Sequence, residues 1–366
     1  MYFNHLSILK FKNFSDLQID LNPGFHFITG LNGSGKTNFL DALYYLCMTR
    51  GFRKCPDKLI VQHEQDFFRL EGSLQTKKGI RQVVIKCKPP VLKEVFYDDK
   101  KYLKITDHLG KVPVVMIAPD EVYTLINEHE ERRKFLNQTL LQIDNQYFEH
   151  LYAYNKLLKQ RNAALKQMKM AGRINSQLLD ALDFPLVQHA NYIYVKRKEL
   201  VENLNPVIKN YVEKISGNKQ ESNFTYTSDG GAQYAQLLLD SREKDYFSLR
   251  TNRGIHKDRI DCLMGEHSLG DLGSQGQIKS FILAMKLAQF NFLQSTLGIT
   301  PIVLLDDIFA KLDAGRVEKL LALLIEEQIS QCFISDTHLT RAQELRNILN
   351  KDAYLYQIQD NLLHAI

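Results

Sequence analysis

The chain has 366 residues, of which 44% are hydrophobic and 24% are charged, so it is long enough to form two or three packed units. No apolar run approaches the roughly 18 residues of a membrane-spanning helix, and the first ten residues lack the apolar core of a signal peptide. We therefore expect a cytoplasmic protein without a membrane partner. Five scattered cysteines without a Cys-x-x-Cys pair argue against a zinc site, and a net charge of +5 is too small by itself to indicate nucleic acid.

The first 29 residues predict three strands that lead into a glycine-rich loop. Alternating apolar residues predict two strands joined by a turn at Lys12-Asn13-Phe14, and an apolar run from Phe25 to Thr29 predicts a third. A helical pattern follows from Asn38 to Cys47. The glycine-rich loop therefore lies between a strand and a helix.

This loop, Gly30 to Thr37, has the spacing G-x-x-x-x-G-K-[ST] of a P-loop. Backbone N–H groups of such a loop surround phosphate oxygens, the lysine adds a cation, and the hydroxyl after it binds Mg²⁺. The sequence therefore predicts a site for ATP with Mg²⁺. The expected nucleotide contacts are Gly30, Asn32, Gly33, Ser34, Gly35, Lys36, Thr37 and Asn38.

The middle of the chain changes from strand patterns to helix patterns. Short alternating runs between residues 67 and 105 predict an antiparallel sheet, and Val112 to Ala118 predicts a buried strand. Apolar residues then recur at helical spacing between Tyr147 and Leu165 and between Leu186 and Tyr211. We expect two long helices that pack antiparallel, joined by a turn at 172–176.

Positive charge is concentrated in this helical region. Residues 151–220 contain 12 Lys and Arg against 5 Asp and Glu, while the remainder of the chain has a net charge of −2. Two interpretations remain open, a solvated helix face or a DNA-binding surface. On the second interpretation the candidate contacts are Lys196, Arg197 and Lys198.

The segment that follows the helices gives weaker signals. Residues 217–231 are polar and predict a loop or hinge, Tyr246 to Arg250 predicts a strand, and Thr251 to Asp258 predicts a further loop.

The last third of the chain contains three further candidate site segments. Ser274, Gln275, Gly276 and Gln277 precede a helix, whose N-terminus attracts anions. The apolar strand Ile302 to Leu305 ends in Asp306, which can hold Mg²⁺, and Asp307, which can polarise the attacking water. His338 follows the next strand, and we expect it to meet the γ-phosphate.

In this order the motifs resemble the ATPase head of the ABC superfamily. Within it, further segments resemble the RecF family of the SMC-like branch. These segments are Leu9-Lys10-Phe11-Lys12-Asn13-Phe14, Arg50-Gly51-Phe52-Arg53, Arg132-Arg133-Lys134-Phe135-Leu136, Gln160-Arg161-Asn162 and Gly273-Ser274-Gln275-Gly276-Gln277.

The resemblance implies an α/β fold, namely a P-loop ATPase head with a mixed sheet and an antiparallel subsheet, plus a helical lobe with a short antiparallel arm. The expected domains are 1–119 and 297–366, which form the ATPase lobe, and 120–296, which forms the helical lobe with the signature motif.

The resemblance also implies an activity in recombinational repair and replication. It implies an ATP-dependent homodimer that binds single- and double-stranded DNA at gaps and junctions, hydrolyses ATP slowly with stimulation by DNA, and acts with RecO and RecR to load RecA. By position, Lys36, Asp307 and His338 are catalytic, and Thr37 and Asp306 hold the metal. Ser274 to Gln277 contact the ATP of the partner subunit, and Asp313 belongs to the D-loop.

Two other functions compete with this one. The first is the ATPase subunit of a membrane transporter. The second is a DNA clamp in which ATP only controls closure of a dimer and hydrolysis is incidental.

Overall fold

The structure is a computed structural model that describes residues 1–53, 55–217, 221–349 and 353–366. Its strands are β1 (Tyr2–Phe11), β2 (Phe14–Asp20), β3 (Gly24–Thr29), β4 (Phe68–Thr76), β5 (Gly79–Lys88), β6 (Leu92–Tyr97), β7 (Lys100–Lys101), β8 (Val114–Ile117), β9 (Ser222–Thr227), β10 (Arg259–Met264), β11 (His267–Ser268), β12 (Ile302–Leu305), β13 (Gln331–Asp336), β14 (Ala353–Gln359) and β15 (Leu362–Ala365). Its helices are α1 (Lys36–Met48), α2 (Pro119–Asn127), α3 (His129–Ile143), α4 (Asn145–Met170), α5 (Ser176–Ser216), α6 (Tyr234–Asp240), α7 (Arg242–Ser248), α8 (Leu269–Leu272), α9 (Gln275–Leu297), α10 (Ala314–Glu326) and α11 (Leu339–Leu349).

The chain forms two compact units. The first consists of residues 1–123, 214–217 and 282–366, and the second of residues 124–213 and the described part of 218–281. The sequence predicted divisions after residues 119 and 296, whereas the units divide after 123 and 281. The second half of α9 belongs to the first unit, where the Lys286 ammonium donates to the carbonyl of Met116 at 2.8 Å.

The first unit contains two six-stranded sheets. One is antiparallel, with strand order β2-β1-β4-β5-β6-β7, which confirms the predicted antiparallel sheet. The other has the order β15-β14-β3-β13-β12-β8, in which only β15 pairs antiparallel. Side chains of α1 and of both sheets share one apolar core. This burial explains why α1 is apolar on nearly all sides.

The second unit is built on the predicted pair of long helices. Tyr192 of α5 donates to Asp144, which caps α4, and His189 lies 3.1 Å from His150. Because residue numbers fall along α4 as they rise along α5, these contacts confirm the antiparallel arrangement. Among the described residues, no helix is both long enough and apolar enough to cross a membrane.

Two predictions for the segment after α5 were wrong. The predicted loop at 217–231 contains β9, which pairs antiparallel with β10, although residues 218–220 lie outside the described part of the chain. The predicted strand at 246–250 is replaced by α7 and the turn after it. The apolar pair Tyr246-Phe247 favours a strand, but it lies in a helix in which Asp245 is buried and Phe247 is exposed.

Asp245 is buried because it belongs to an ionic network centred on Arg161. The Arg161 guanidinium is fully buried and donates to Asp183 at 2.6 Å, to Asp245 at 2.6 Å and to Thr251 at 2.9 Å. Asn162 accepts hydrogen bonds from the backbone and hydroxyl of Thr251. Thus Arg161 and Asn162 connect α4 with α5, α7 and the loop that precedes β10.

Arg161→Met is expected to lower the free energy of unfolding by about 3–5 kcal/mol, because it leaves buried carboxylates without their counter-charge. Urea unfolding followed by circular dichroism measures the change. Lys159→Met, at an exposed position of the same helix, is the matched control and is expected to change stability by less than about 0.5 kcal/mol. Equal stabilities of the two variants would contradict a structural role for the network.

Candidate nucleotide-binding site

The parallel sheet brings three site segments to one edge. The P-loop follows β3, Asp306 and Asp307 follow β12, and β13 ends at Asp336, which pairs with Thr29 at the end of β3. The carboxyl ends of parallel strands form the ligand edge of an open α/β sheet. A cavity of about 190 Å³ lies here, lined by Asn32, Gly33, Gly35, Lys36, Thr37, Asn38, Asp306, Asp307 and Thr337.

The P-loop is strongly curved. Gly30, Gly33 and Gly35 have φ angles of 151°, 81° and 109°, values that favour glycine. The Lys36 ammonium is buried and donates to the carbonyls of Gly30 at 2.7 Å and Leu31 at 2.9 Å. Burial lowers the pKa of Lys36, while the nearby carboxylates of the site oppose this shift.

Asn13 holds the P-loop in place from outside. Its side-chain amide donates to the carbonyl of Ser34 at 3.3 Å and to Asn361 at 2.7 Å, and it accepts from the Asn38 side chain at 2.7 Å. A Cβ at Gly35 would lie 2.3 Å from the Asn13 nitrogen, so glycine is required there. The β1–β2 turn and the β14–β15 turn therefore both support the phosphate loop.

Asp306 connects the helix that follows the P-loop with the ends of β12 and β13. The Thr37 hydroxyl donates to the Asp306 carboxylate at 2.9 and 3.0 Å, and the Ser335 hydroxyl donates to it at 2.8 Å. A hydroxyl and a carboxylate side by side are hard oxygen ligands of the kind that Mg²⁺ prefers. The donor set present in this chain therefore fits a magnesium ion.

Asp307 occupies a strained position next to Asp306. Its φ of 44° is left-handed, and its backbone N–H donates to Ser335 at 2.8 Å. One of its carboxylate oxygens is buried without a hydrogen-bond partner among the described residues. Burial, together with the charges of Asp336 and Asp306, raises the pKa of Asp307. A carboxylate with a raised pKa and an unsatisfied oxygen is suited to accept a hydrogen bond from water.

After β13, the structure places Thr337 rather than His338 in the lining of the cavity. Asp336 is fully buried and accepts two hydrogen bonds from Arg341, at 2.6 and 2.7 Å, and one from the His338 backbone at 2.8 Å. The His338 residue is exposed, and the cavity is lined by its neighbour Thr337. His338 thus lies beside the site, and its assigned role stays a prediction.

The signature segment lies in the second unit and begins α9. The Ser274 N–H donates to the Gln277 side chain at 2.8 Å, and the Gln277 N–H donates to the Ser274 hydroxyl at 3.3 Å. This reciprocal pair is a capping box, which satisfies the helix end. Ser274 and Gln275 are exposed, and Gly276 is half-buried.

Asp313, in the first unit, caps α10 by accepting from the Arg316 N–H at 3.0 Å. Hydrogen bonds from Arg316 lower the pKa of Asp313, so its carboxylate stays charged at neutral pH. Its assigned place in the D-loop stays a prediction.

One of the three candidate DNA contacts is wrong. Arg197 is buried and donates to Asp258 at 2.7 Å and to the carbonyl of Ile255 at 2.8 Å, so its charge is not available to DNA. Lys196 and Lys198 face outward, within 3.5 Å of Glu199 and 3.9 Å of Glu202 respectively. Arg197 lies in the apolar row that includes Ile193 and Leu200, and this spacing was the signal for burial.

Sequence reasoning also missed supporting residues of the nucleotide site. The sequence predicted Asn13 only as part of a turn and of a segment that resembles the RecF family, and it predicted no role for Ser335. Asn361 received no assignment. Asn361 contacts Asn13 across 348 positions and Ser335 contacts Asp306 across 29, and no local pattern reports such a pairing.

The fold defines the class of this protein, which is a P-loop ATPase head of the ABC type in its SMC-like branch. A solved Smc head, bound to the C-winged helix domain of ScpA, has the same fold with a TM-score of 0.54 and 14% identity, covering 100% of this chain and 97% of the other.

The family described as the RecF/RecN/SMC N terminal domain matches residues 2–353, and the chain belongs to the RecF family within it. The chain is 36% identical to the "DNA replication and repair protein RecF" of Cytophaga hutchinsonii over 98% of this chain and 95% of the relative. It is 35% identical to the protein of that name from Parabacteroides distasonis over 98% of both chains. A structure of the recombination mediator protein RecF with ATPrS has a TM-score of 0.89 and 24% identity, and covers 100% and 98% of the two chains.

Asn361→Gly is expected to loosen the P-loop, because it removes the acceptor for Asn13 while glycine tolerates the φ of 61° at this position. The loss of one hydrogen bond, about 1 kcal/mol, corresponds to roughly five-fold faster amide hydrogen exchange across residues 30–38. Asp360→Gly, at the adjacent turn position with φ 52°, is the matched control and is expected to leave exchange unchanged. Unchanged exchange in both variants would contradict the support of the loop by Asn361.

Proposed function

We propose that this protein binds and hydrolyses ATP with Mg²⁺ and uses the nucleotide to control its action on DNA during replication and recombinational repair. The observation that carries the proposal is the contact between Thr37 and Asp306, 269 positions apart, which joins the phosphate loop to the acidic strand end. Relatives named for DNA replication and repair support the biological setting.

The proposed roles follow from the contacts of each side chain. Lys36 exchanges its two carbonyl partners for the β- and γ-phosphates, and the P-loop N–H groups bind the same oxygens. Thr37 and Asp306 hold Mg²⁺, which supplies charge neutralisation for the phosphates when bound. Asp307 orients the attacking water and accepts its proton in part, and His338 acts near the γ-phosphate.

The signature motif acts in a homodimer on this proposal. Ser274, Gln275, Gly276 and Gln277 of one subunit contact the ATP of the other, with Asp313 of the D-loop beside them. Exposure of Ser274 and Gln275 at the N-terminus of a long helix supports this role, because a helix N-terminus favours negative charge. ATP binding then closes the dimer and hydrolysis opens it.

We propose that the closed dimer binds single- and double-stranded DNA at gaps and junctions. Hydrolysis is slow and is stimulated by DNA, and partners of the RecO and RecR type help to load RecA. The competing clamp, in which hydrolysis is incidental, predicts the same turnover with and without DNA. A phosphate-release assay at saturating ATP separates the two mechanisms.

Lys36→Ala is expected to weaken ATP binding at least 100-fold, because the motif loses its only cation for the phosphates. Fluorescent ATP-analogue titration measures the affinity. Lys58→Ala, an exposed lysine of the same unit, is the control and is expected to bind as the wild type does. Wild-type affinity in Lys36→Ala would refute the nucleotide site.

Asp307→Asn is expected to retain ATP binding, because Thr37 and Asp306 remain, and to hydrolyse ATP about 10²- to 10⁴-fold more slowly, because the water loses its proton acceptor. An ATP-dependent dimer is therefore expected to accumulate in this variant. Ser274→Arg is expected to bind ATP as a monomer, because a bulky side chain fills the end of α9.

Light scattering with ATP and Mg²⁺ measures the mass of both variants, and Lys58→Ala again serves as the control. A monomeric Asp307→Asn, or a Ser274→Arg that dimerises as the wild type does, would remove the basis for a site shared between subunits.

A further inference from the structure

Helix α4 has one face that is exposed along most of its length and carries three lysines. Lys156, Lys159 and Lys166, here called the lysine stripe, recur at helical spacing together with the exposed Tyr152 and Met170. The opposite face is buried and consists of Tyr147, Tyr154, Arg161, Ala164, Leu165 and Met168. The stripe is therefore the side of α4 that points away from the core of its unit.

The described residues do not neutralise the lysine stripe. Residues 150–173 contain six Lys and Arg and no Asp or Glu. None of the three lysines forms an ion pair within the part of the chain that the structure describes. On α5, by contrast, Lys196 and Lys198 each have a glutamate within 4 Å. Each helix carries four lysines, and among the described residues all four on α4 but only Lys209 on α5 have no ion pair.

The geometry of the stripe suits a rigid polyanion. Lys156 and Lys166 are separated by ten helical residues, or about 15 Å along the axis, and the whole of α4 spans about 39 Å, close to one turn of duplex DNA. Surfaces for single strands combine cations with aromatic side chains that stack on successive bases. In the described residues, the exposed aromatic side chain on this face is Tyr152 near its N-terminal end, which stacks on the half-buried Phe148. The stripe therefore suits phosphates of a duplex better than the bases of a single strand.

We propose that the lysine stripe of α4 is the docking surface for the phosphate backbone of double-stranded DNA. This inference rests on the proposed function and specifies which surface of the second unit performs DNA binding. Each lysine that neutralises a phosphate releases counterions, so the contact is independent of base sequence and is weakened by salt.

The test compares three variants of the full-length protein on a 30-base-pair duplex and on a 30-nucleotide single strand, between 50 and 300 mM NaCl. In the triple variant K156Q/K159Q/K166Q, affinity for the duplex is expected to fall at least about tenfold at 50 mM NaCl, and the slope of log K against log salt by about 2–3. The variant K156R/K159R/K166R, which keeps the positive charges, is expected to have the duplex affinity and the salt slope of the wild type. The variant K196Q/K198Q, which removes neutralised lysines of α5, is expected to change affinity less than about threefold.

Thermal unfolding and ATP affinity measured on the same samples establish that each variant is folded, because exposed lysines contribute little to stability. If the wild type binds the duplex and K156Q/K159Q/K166Q binds it with the same affinity, the lysine stripe is overturned as the docking surface. DNA binding by the protein would then stand. If K156Q/K159Q/K166Q loses affinity for the single strand but keeps its affinity for the duplex, the assignment of the stripe to duplex DNA is overturned. Absence of any DNA binding by the wild type would overturn both the stripe and the DNA part of the proposed function, while leaving its nucleotide part to the Lys36 experiment.

Discussion

The nucleotide site depends on the hydrogen bonds that the Asp306 carboxylate accepts. This carboxylate accepts hydrogen bonds from Thr37 at the start of α1 and from Ser335 in β13, and thereby connects the P-loop with the ends of β12 and β13. Each of these strands also belongs to one parallel sheet, so the side chains reinforce a geometry that the backbone has already set. A carboxylate that accepts hydrogen bonds from two hydroxyls is oriented before any ligand arrives.

The positive charges of the second unit lie in two different environments. In the second unit, Arg161 and Arg197 are buried against Asp245 and Asp258 and hold helices and loops together. The exposed lysines of α4 have no such partners among the described residues. A count of charges over residues 151–220 includes both kinds, and so it overstates the charge that is available to a ligand. Burial separates the structural arginines from the accessible lysines.

The fold class and the main site segments were predictable because their signals are local. The P-loop spacing, the apolar strand before Asp306 and the helical rows of α4 and α5 each lie within one element. The periodicity also indicates the position of Arg197, which lies between Ile193 and Leu200 in a buried row, whereas its charge alone favours an exposed position. Strand β9 and the contact of Asn13 with Asn361 depend on partners distant in sequence, and local patterns do not encode them.

The position of β3 in its sheet has a consequence for biosynthesis. Its two neighbours, β13 and β14, begin at Gln331 and Ala353, and so they are synthesised more than 300 residues after the end of β3. At about 5–20 residues per second, the interval before the first neighbour is made is roughly 15–60 s. The antiparallel sheet of β1, β2, β4, β5, β6 and β7 is complete much earlier. The strand that leads into the phosphate loop is thus among the first to be synthesised and among the last to be paired, and a nascent chain exposes this apolar segment to chaperones for most of its translation.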